Sequence, residues 1–241
     1  MVTCILQARM GSTRLPGKVL MKIDNDSSIL DFVIKQLRCS NLLDEIIIAT
    51  TKLNEDNVIE KYAVDNNLRC FRGSALDVLD RYYQCAKKFN FSTIVRVTSD
   101  CPLIDPTIID RIIKKFKNGD YDYVSNFLSH SFPNGTEAEI FSFNILKNAW
   151  ANGKKSFERE HVTPYIYHNQ KKFLLGELKS EKDYSNLRWS VDKKNDLDLV
   201  KEIVSKISKS PILMEDIIQL FTHEPELVKI NSSNVVKHSK V

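Results

Sequence analysis

The chain has 241 residues and a formal net charge of +4, with 42% hydrophobic and 27% charged residues. These values are typical of one large or two small globular domains, and a content of seven glycines and seven prolines excludes long flexible linkers. The small, dispersed positive charge is compatible with an anionic nucleotide as ligand. It excludes the concentrated basic face that nucleic-acid binding requires.

Cysteine usage and hydropathy bear on the cellular compartment. The five cysteines are scattered and form no Cys-x-x-Cys pair, which predicts neither a zinc site nor a disulfide framework and fits a reducing environment. No basic leader precedes a long apolar run, and no eighteen consecutive residues are apolar. We therefore expect a cytoplasmic protein without a membrane partner.

The first predicted element is a buried strand from Val2 to Leu6, and a polar loop over residues 7–18 follows it. Gly11 and Gly17 would let the backbone of this loop approach a ligand closely. Its remaining side chains mix hydroxyls with cations, namely Arg9, Ser12, Thr13, Arg14 and Lys18. Such a loop at the end of a first strand suits a polyphosphate, and the alternative is an exposed basic loop.

Two common phosphate motifs do not describe this loop. Five residues separate Gly11 from Gly17, and Val19 rather than a hydroxyl residue follows Lys18, so the loop is not a P-loop. No Gly-x-Gly-x-x-Gly occurs in the chain, so a dinucleotide cofactor is not indicated.

The loop resembles the signature of the sugar-acid cytidylyltransferases, which join CTP to a 2-keto sugar acid. That family opens with a strand followed by Ala-Arg-x-x-Ser-x-Arg-Leu-Pro-x-Lys, and this chain matches at Ala8-Arg9, Ser12, Arg14-Leu15-Pro16 and Lys18. The branch it resembles most is the spore-coat polysaccharide cytidylyltransferases. The resemblance implies catalytic roles for Arg9, Arg14 and Lys18, and nucleotide contacts from Gln7, Ala8, Arg9, Gly11, Ser12, Arg14 and Lys18.

Beyond the loop, apolar strands alternate with amphipathic helices up to about residue 120. The patterns predict strands near 46–49, 68–71 and 93–98, and helices over 29–38 after Ser28, over 55–66, from Asp77, and from Asp105-Pro106. Alternation of this kind predicts a mostly parallel central sheet with helices on both faces. Together with the resemblance, it implies a single α/β, Rossmann-like nucleotidyltransferase domain of GT-A-like architecture.

A second segment resembles the spore-coat branch. It runs from Phe71 to Ser74 and on from Asp77 to Tyr82, and in that branch the loop lies beside the nucleotide. The resemblance implies that the nucleotide site also includes Thr50, Gly73, Asp77, Arg81 and Thr98. For Asp77 and Arg81, a turn followed by a solvated helix start is an equal alternative.

The second half has a mixed pattern. It predicts strands near 121–125, 137–143, 172–178 and 187–191, and helices over 144–152, from within 157–165, and from a cap at Asn195. We expect a nucleotidyltransferase domain over 1–225, with a nucleotide-binding part over about 1–120 and an acceptor-binding and dimerisation part over about 121–195. Residues 226–241 are expected to form a peripheral tail, and the protein to be a homodimer.

Two aspartates are candidates for a metal site. Nucleotidyl transfer depends mostly on positioning and on cations, usually with Mg²⁺ held by one or two carboxylates. Asp100 follows the strand over 93–98, where ligands bind in an open α/β sheet, and its alternative role is a turn residue. The resemblance implies Mg²⁺ binding by Asp100 in its Asp-x-Pro-Leu motif and by Asp192. The alternative for Asp192 is a helix-start residue.

The resemblance implies an acceptor pocket lined by Gly135, Glu139, Arg159, Glu160 and His161. A guanidinium pairs well with a carboxylate, so Arg159 is expected to bind an acidic acceptor. His161 would assist deprotonation of the attacking hydroxyl, or is structural. The Kdo-specific enzymes carry Gly-Asp-Glu-Pro-Leu where this chain has Ser99-Asp100-Cys101-Pro102-Leu103, so the resemblance does not fix the acceptor.

The favoured hypothesis is a Mg²⁺-dependent transferase that moves CMP from CTP to a sugar acid for a surface polysaccharide and releases pyrophosphate. One alternative is transfer to another acidic acceptor such as a phosphonate. A second is a glycosyltransferase of GT-A type, which usually needs an Asp-x-Asp at a strand end. That spacing occurs at 24–26, 120–122 and 196–198, in predicted turns or a helix. A third is a nucleotide-sensing or scaffolding relative without catalysis.

Overall fold

The structure is a computed structural model, and it describes residues 1–235. Within that range, one seven-stranded sheet contains β1 (Val2–Gln7), β2 (Glu45–Thr51), β3 (Arg69–Gly73), β4 (Thr93–Thr98), β5 (Tyr123–Ser125), β6 (Glu139–Ser142) and β7 (Leu175–Glu177). The helices are α1 (Ile29–Leu37), α2 (Asn57–Asp65), α3 (Val78–Lys88), α4 (Pro106–Lys117), α5 (Phe143–Asn152), α6 (Ser156–His161), α7 (Pro164–Tyr167), α8 (Lys194–Lys206) and α9 (Met214–His223). No helix in this part of the chain is long and apolar enough to cross a bilayer.

The strands lie in the order β3-β2-β1-β4-β6-β5-β7. The first four are parallel to one another, whereas β6 runs antiparallel to both β4 and β5. Gln7 at the end of β1 is in register with Ala49 of β2 and with Thr98 of β4. The loop after β1 and the residues after β4 therefore emerge at the same edge of the sheet, as the predicted parallel arrangement requires.

Helices cover both faces of the sheet, as predicted. Along β1, Cys4 and Leu6 point into one apolar core and Ile5 into another, because successive side chains of a strand alternate between faces. The first core is completed by apolar residues of α1, α2 and α4, and the second by those of α3, α5 and α7. A third cluster surrounds the fully buried Trp189 and joins α8 to α9.

The predicted helix starts after residues 28, 77 and 105 are confirmed. The Ser28 hydroxyl accepts the amide hydrogen of Asp31, whose carboxylate accepts the amide of Ser28 in return, which forms a capping box. Asp77 accepts the amide of Asp80, and Asp105 accepts that of Thr107. These local signals place the starts of α1, α3 and α4.

Two predictions in the second half are wrong. Residues 187–191 form only one isolated bridge to Asn134, whose carbonyl accepts the amides of Trp189 and Ser190, so no strand develops there. α8 starts at Lys194 rather than after a cap at Asn195, because the Asp196 carboxylate accepts the amides of Asp192 and Lys193. The helix predicted to start in the segment 157–165 is present as α6, which begins at Ser156. It ends early because Val162 adopts φ 74°, and the short helix α7 follows.

The expected peripheral tail is also wrong for its described part. Residues 225–230 form a 3₁₀ helix that buries Leu227 against α8 and α9. Asn231 is buried and donates to Asp196 Oδ1 at 2.9 Å and to the Arg188 carbonyl at 3.1 Å. This segment therefore supports the residues around Asp192. Residues 236–241 of the predicted tail lie outside the described residues.

Candidate active site

The loop after β1 is held by its own backbone and by one buried carboxylate. The Met10 carbonyl accepts the amides of Ser12 and Gly17, and Gly17 adopts φ 69°, a left-handed conformation that glycine takes without strain. The Met10 amide donates to Asp56 Oδ1 at 2.7 Å, and the other oxygen of Asp56 accepts the Thr51 hydroxyl. The end of β2 therefore anchors the loop, and the amides of Ser12 and Gly17 are already used.

Lys18 lies at the centre of the charged groups. Its Nζ is 3.2 Å from Asp100 Oδ2 and 2.9 Å from Asp192 Oδ1, and it donates to the Val191 carbonyl at 2.6 Å. The Val191 amide in turn donates to the Asp100 carbonyl at 2.7 Å. The structure thus brings together three predicted residues that are up to 174 positions apart.

The cations around Asp192 keep its carboxylate ionised. Arg188 donates to Oδ2 at 2.6 Å, and Arg14 contacts Oδ1 at 2.8 Å while its own side chain stays 60% exposed. Burial by itself would raise the pKa of Asp192, but Lys18, Arg188 and Arg14 outweigh it and hold that pKa below its ordinary value. Burial would likewise lower the pKa of Lys18, whereas Asp100 and Asp192 raise it.

A cavity of about 330 Å³ opens beside the loop. Many of the side chains assigned to the nucleotide from the sequence line it, as do Glu160 and His161, which were assigned to the acceptor. The predicted residues in its lining are Gln7, Ala8, Arg9, Ser12, Arg14, Lys18, Arg81, Thr98, Asp100, Glu160, His161 and Asp192. Arg9 and Arg14 are exposed and so are available to an anionic ligand.

A second cavity of about 370 Å³ adjoins the first. The two share Arg96, Thr98, Asp100, His161 and Asp192, which therefore form their common wall. One side of the second cavity is aromatic, with Phe127, Phe157 and Tyr167. The lining also holds four carboxylates (Asp100, Glu137, Glu139 and Asp192) against two guanidiniums (Arg96 and Arg188). A metal cation at Asp100 and Asp192 would offset that excess of negative charge.

Glu139 belongs to a buried network rather than standing free in the second cavity. Its carboxylate accepts hydrogen bonds from Arg96, from the Tyr123 hydroxyl at 2.7 Å and from the Thr163 hydroxyl. Arg96 and Glu139 are direct cross-strand partners on β4 and β6. The network therefore fixes the guanidinium of Arg96 at the common wall.

The sequence as a whole matches one family. A family model described as cytidylyltransferase covers residues 3–228 of this chain. The chain belongs to that family. It is therefore a CTP-using nucleotidyltransferase enzyme, as the resemblance of its first loop implied.

Individual relatives of this cytidylyltransferase extend over nearly its whole length. It is 36% identical to an uncharacterized protein, MJ1063, of Methanocaldococcus jannaschii, over 95% of this chain and 93% of that protein. It is 31% identical to the spore coat polysaccharide biosynthesis protein SpsF of Bacillus subtilis, over 92% and 94%. A solved cytidylyltransferase structure from Leptospira borgpetersenii superposes with a TM-score of 0.90 at 34% identity, covering 94% of this chain and 96% of that one.

Several predicted site residues line neither cavity of the cytidylyltransferase. Thr50 is fully buried, and Gly73 packs against Arg81 and borders a separate surface cleft. Gly11 lies against Glu55, outside both linings. The resemblance implied their place in the nucleotide site, and that assignment stays a prediction.

Arg159 and Asp77 pair with each other. The Arg159 guanidinium donates twice to Asp77 and also donates to the Trp150 carbonyl at 2.8 Å. This contact joins α6 to the start of α3, and neither residue lines a cavity. In this structure Arg159 therefore faces Asp77 instead of either cavity, and its contact with an acceptor carboxylate stays a prediction. The pair instead holds α6, whose last residue is His161, over the cavities.

Gly135 acts through close packing. Its φ is 112°, and a Cβ there would lie 2.6 Å from the Ser190 amide nitrogen. Its own amide donates to Glu137 Oε2 at 2.7 Å. Burial raises the pKa of Glu137 to about 7, nearby Asp100 contributes to the rise, and the Gly135 amide partly opposes it. Gly135 therefore lines neither cavity, but it lies against Ser190 and bonds to Glu137, which both line the second.

Sequence reasoning missed Arg96, Glu137, Asp56 and Arg188 as contributors to the site. Arg96 gave a signal, because a lone charge in the middle of an apolar strand needs a buried partner. No signal marked Asp56 in the sequence, because it lies in the polar run of residues 54–57 and looks like an ordinary loop residue. Arg188 was part of the segment read as a strand before Asp192.

The donor set at the common wall fits one kind of metal site. Among the described residues, no three His, Cys, Asp or Glu side chains gather around one point, so a site made of protein ligands alone is not formed. Asp100 and Asp192 do converge on the Lys18 ammonium, a cation. Two converging carboxylates fit a divalent cation that completes its coordination with water and with oxygen atoms of a ligand, as Mg²⁺ does.

Proposed function

We propose that this cytidylyltransferase transfers CMP from CTP to a sugar acid, with Mg²⁺ and with release of pyrophosphate, for a surface polysaccharide. The observation that carries the proposal is the Lys18 ammonium between Asp100 and Asp192, two carboxylates that line both of the adjacent cavities. Two substrates must meet at one phosphorus in such a transfer, and two cavities with a common charged wall suit that requirement. The polysaccharide role named for the SpsF relative supports the pathway.

The first cavity suits CTP. Arg9 and Arg14 are exposed cations that can turn onto phosphate oxygens, and the Ser12 hydroxyl lies between them in the sequence. Lys18 is held rigidly, so its charge is already positioned where negative charge grows on the α-phosphate. Asp100 and Asp192 would hold Mg²⁺, which when bound supplies positive charge to the phosphates and the departing pyrophosphate.

The second cavity suits the acceptor. Its aromatic side offers flat apolar surface to a sugar ring, and its polar side offers hydrogen-bonding groups. The acceptor hydroxyl attacks the α-phosphorus, a new P–O bond forms, and the bond to the bridging oxygen of pyrophosphate breaks. His161 is exposed at the common wall and is a candidate to accept the hydroxyl proton.

The test measures pyrophosphate release with each of CTP, UTP, GTP and ATP, with and without Mg²⁺, against eight- and nine-carbon 2-keto sugar acids and a phosphonate. We expect turnover with CTP, Mg²⁺ and a sugar acid, and its loss in Asp100→Asn. If only the phosphonate supports turnover, the acceptor is a phosphonate and not a sugar acid. Transfer from a UDP-sugar instead of CTP would refute the proposal. We also propose that the protein is a cytoplasmic homodimer. Light scattering after size exclusion measures the mass of the particle in solution and so tests whether it is a dimer.

A further inference from the structure

Three arginines are candidates to meet the carboxylate of a sugar acid, and two of them are occupied. Arg159 is bound to Asp77 and lines neither cavity. Arg188 lines the second cavity, but two carboxylates already pair with it: Nε bonds Asp196 at 3.3 Å and one terminal nitrogen bonds Asp192 at 2.6 Å, while the other bonds Asn134 at 2.6 Å. Two carboxylates thus offset the charge of Arg188.

Arg96 keeps donors free. A guanidinium has five N–H groups, and Arg96 makes two hydrogen bonds, one to Glu139 and one of 3.3 Å to Gln7 Oε1. Its Nε is buried and has no partner, so the 13% of the side chain that stays exposed belongs to other atoms. Each terminal nitrogen therefore carries one further N–H group, and the Arg96 residue lines both cavities.

The setting of Arg96 favours recognition of one anionic group. Glu139 accepts the Tyr123 and Thr163 hydroxyls as well as Arg96, so the guanidinium is fixed before a ligand arrives. Burial opposes the charge of Arg96, but Glu139 outweighs burial and raises the pKa of the guanidinium. A rigid, permanently charged fork matches a carboxylate in geometry.

We propose that Arg96 binds the acceptor carboxylate and thereby determines the preference for acidic acceptors; this rests on the proposed function. In the ring form of a 2-keto sugar acid, the attacking hydroxyl and the carboxylate are attached to the same carbon. A carboxylate held by Arg96 therefore places that hydroxyl at the wall that also contains Asp100 and Asp192. The same contact selects the substrate and aligns the nucleophile.

The test compares each sugar acid with its methyl ester, which keeps the nucleophilic hydroxyl and removes the charge. For the wild-type enzyme we expect kcat/KM for the acid to exceed that for the ester by about 10- to 100-fold, the range for a charged hydrogen bond. In Arg96→Gln that ratio should fall close to one. Arg159→Gln is the matched control, and it should keep the wild-type ratio.

Folding and the proposed function are controlled separately. Thermal stabilisation by CTP reports a folded nucleotide site in each variant, and Arg96→Lys, which keeps the charge but not the fork, should retain part of the acid preference. If Arg96→Gln is folded and keeps the full ratio, or if Arg159→Gln loses it, the assignment of Arg96 is wrong while the proposed function stands. If the wild-type enzyme uses no sugar acid, the proposed function fails and the assignment of Arg96 fails with it.

Discussion

Replacement of Lys18 by Met removes the ammonium and keeps most of the side-chain volume. Only 10% of the Lys18 side chain is exposed, and the side chains of Asp100 and Asp192 are 28% and 16% exposed. Removing one partner of a fully buried pair costs about 3–5 kcal/mol. Here Asp192 keeps Arg188 and Arg14, and Asp100 is partly solvated, so we expect a loss of about 2 kcal/mol.

A loss of that size corresponds to a fall in Tm of about 4–8 °C for a chain of this length. Turnover should fall further, by about 10²- to 10³-fold, because a preorganised charge next to the reacting phosphate is lost. Without the ammonium the two carboxylates repel each other, so Mg²⁺ should raise the Tm of Lys18→Met by more than it raises that of the wild-type enzyme.

Differential scanning calorimetry with and without Mg²⁺, together with pyrophosphate release, measures all three effects. Lys22→Met is the matched control, because Lys22 is exposed and its ammonium donates to the carbonyl of the nearby Asp26, away from Asp100 and Asp192. An unchanged Tm and an ordinary response to Mg²⁺ in Lys18→Met would show that Lys18 does not balance the two carboxylates.

Three further predictions concern the surroundings of this centre. The pKa of Glu137, raised by burial to about 7 from an ordinary 4.5, means that the folded state binds the proton more tightly than the unfolded chain. Stability should therefore fall as pH rises from about 4.5 to 7, and Glu137→Gln should reduce this slope in Tm measured against pH. Gly135→Ala should lower Tm by several degrees, because the added Cβ would clash with backbone atoms at a residue with positive φ. Gly11→Ala is the control and should change Tm little, because its Cβ would contact only the movable end of the Glu55 side chain. Asp56→Asn should raise the KM for CTP about tenfold, because Asp56 anchors the Met10 amide and the substitution weakens one charged hydrogen bond. Glu55 is the neighbouring residue and is exposed, so Glu55→Gln should leave that KM unchanged.

Much of the fold could be predicted because its signals are local. The spacing of apolar residues and the caps at Ser28 and Asp105 act within a few positions, and they placed α1 and α4 correctly. The segment 187–191 is apolar enough to resemble a strand, but its amides bond to the carbonyls of Asn134 and Asp100 instead of to a neighbouring strand. Those partners are more than fifty positions away, so the pattern of the segment alone could not exclude a strand.

The residues of the candidate site also differ in how far the sequence alone could place them. Residues 7–18 lie in one continuous loop, and Asp100 follows a parallel strand, so the geometry of the sheet brings them to one edge without further information. Arg81 and Thr98 also line the first cavity, but Thr50 and Gly73 do not. Which way a side chain at a strand end faces depends on packing across the sheet, and that packing involves residues distant in the sequence.

The arginines show where an inference from sequence can be extended. Arg159 was a reasonable partner for an acid, yet Asp77 holds it from 82 positions away. Arg96 and Glu139 each place a charge within an apolar strand, and each therefore needs a buried partner. Since β4 and β6 pair antiparallel with these two residues opposite each other, each charge satisfies the other. Knowledge of that strand pairing alone would have moved the search for an acceptor-binding guanidinium from α6 to β4, where the geometry leaves N–H groups unused.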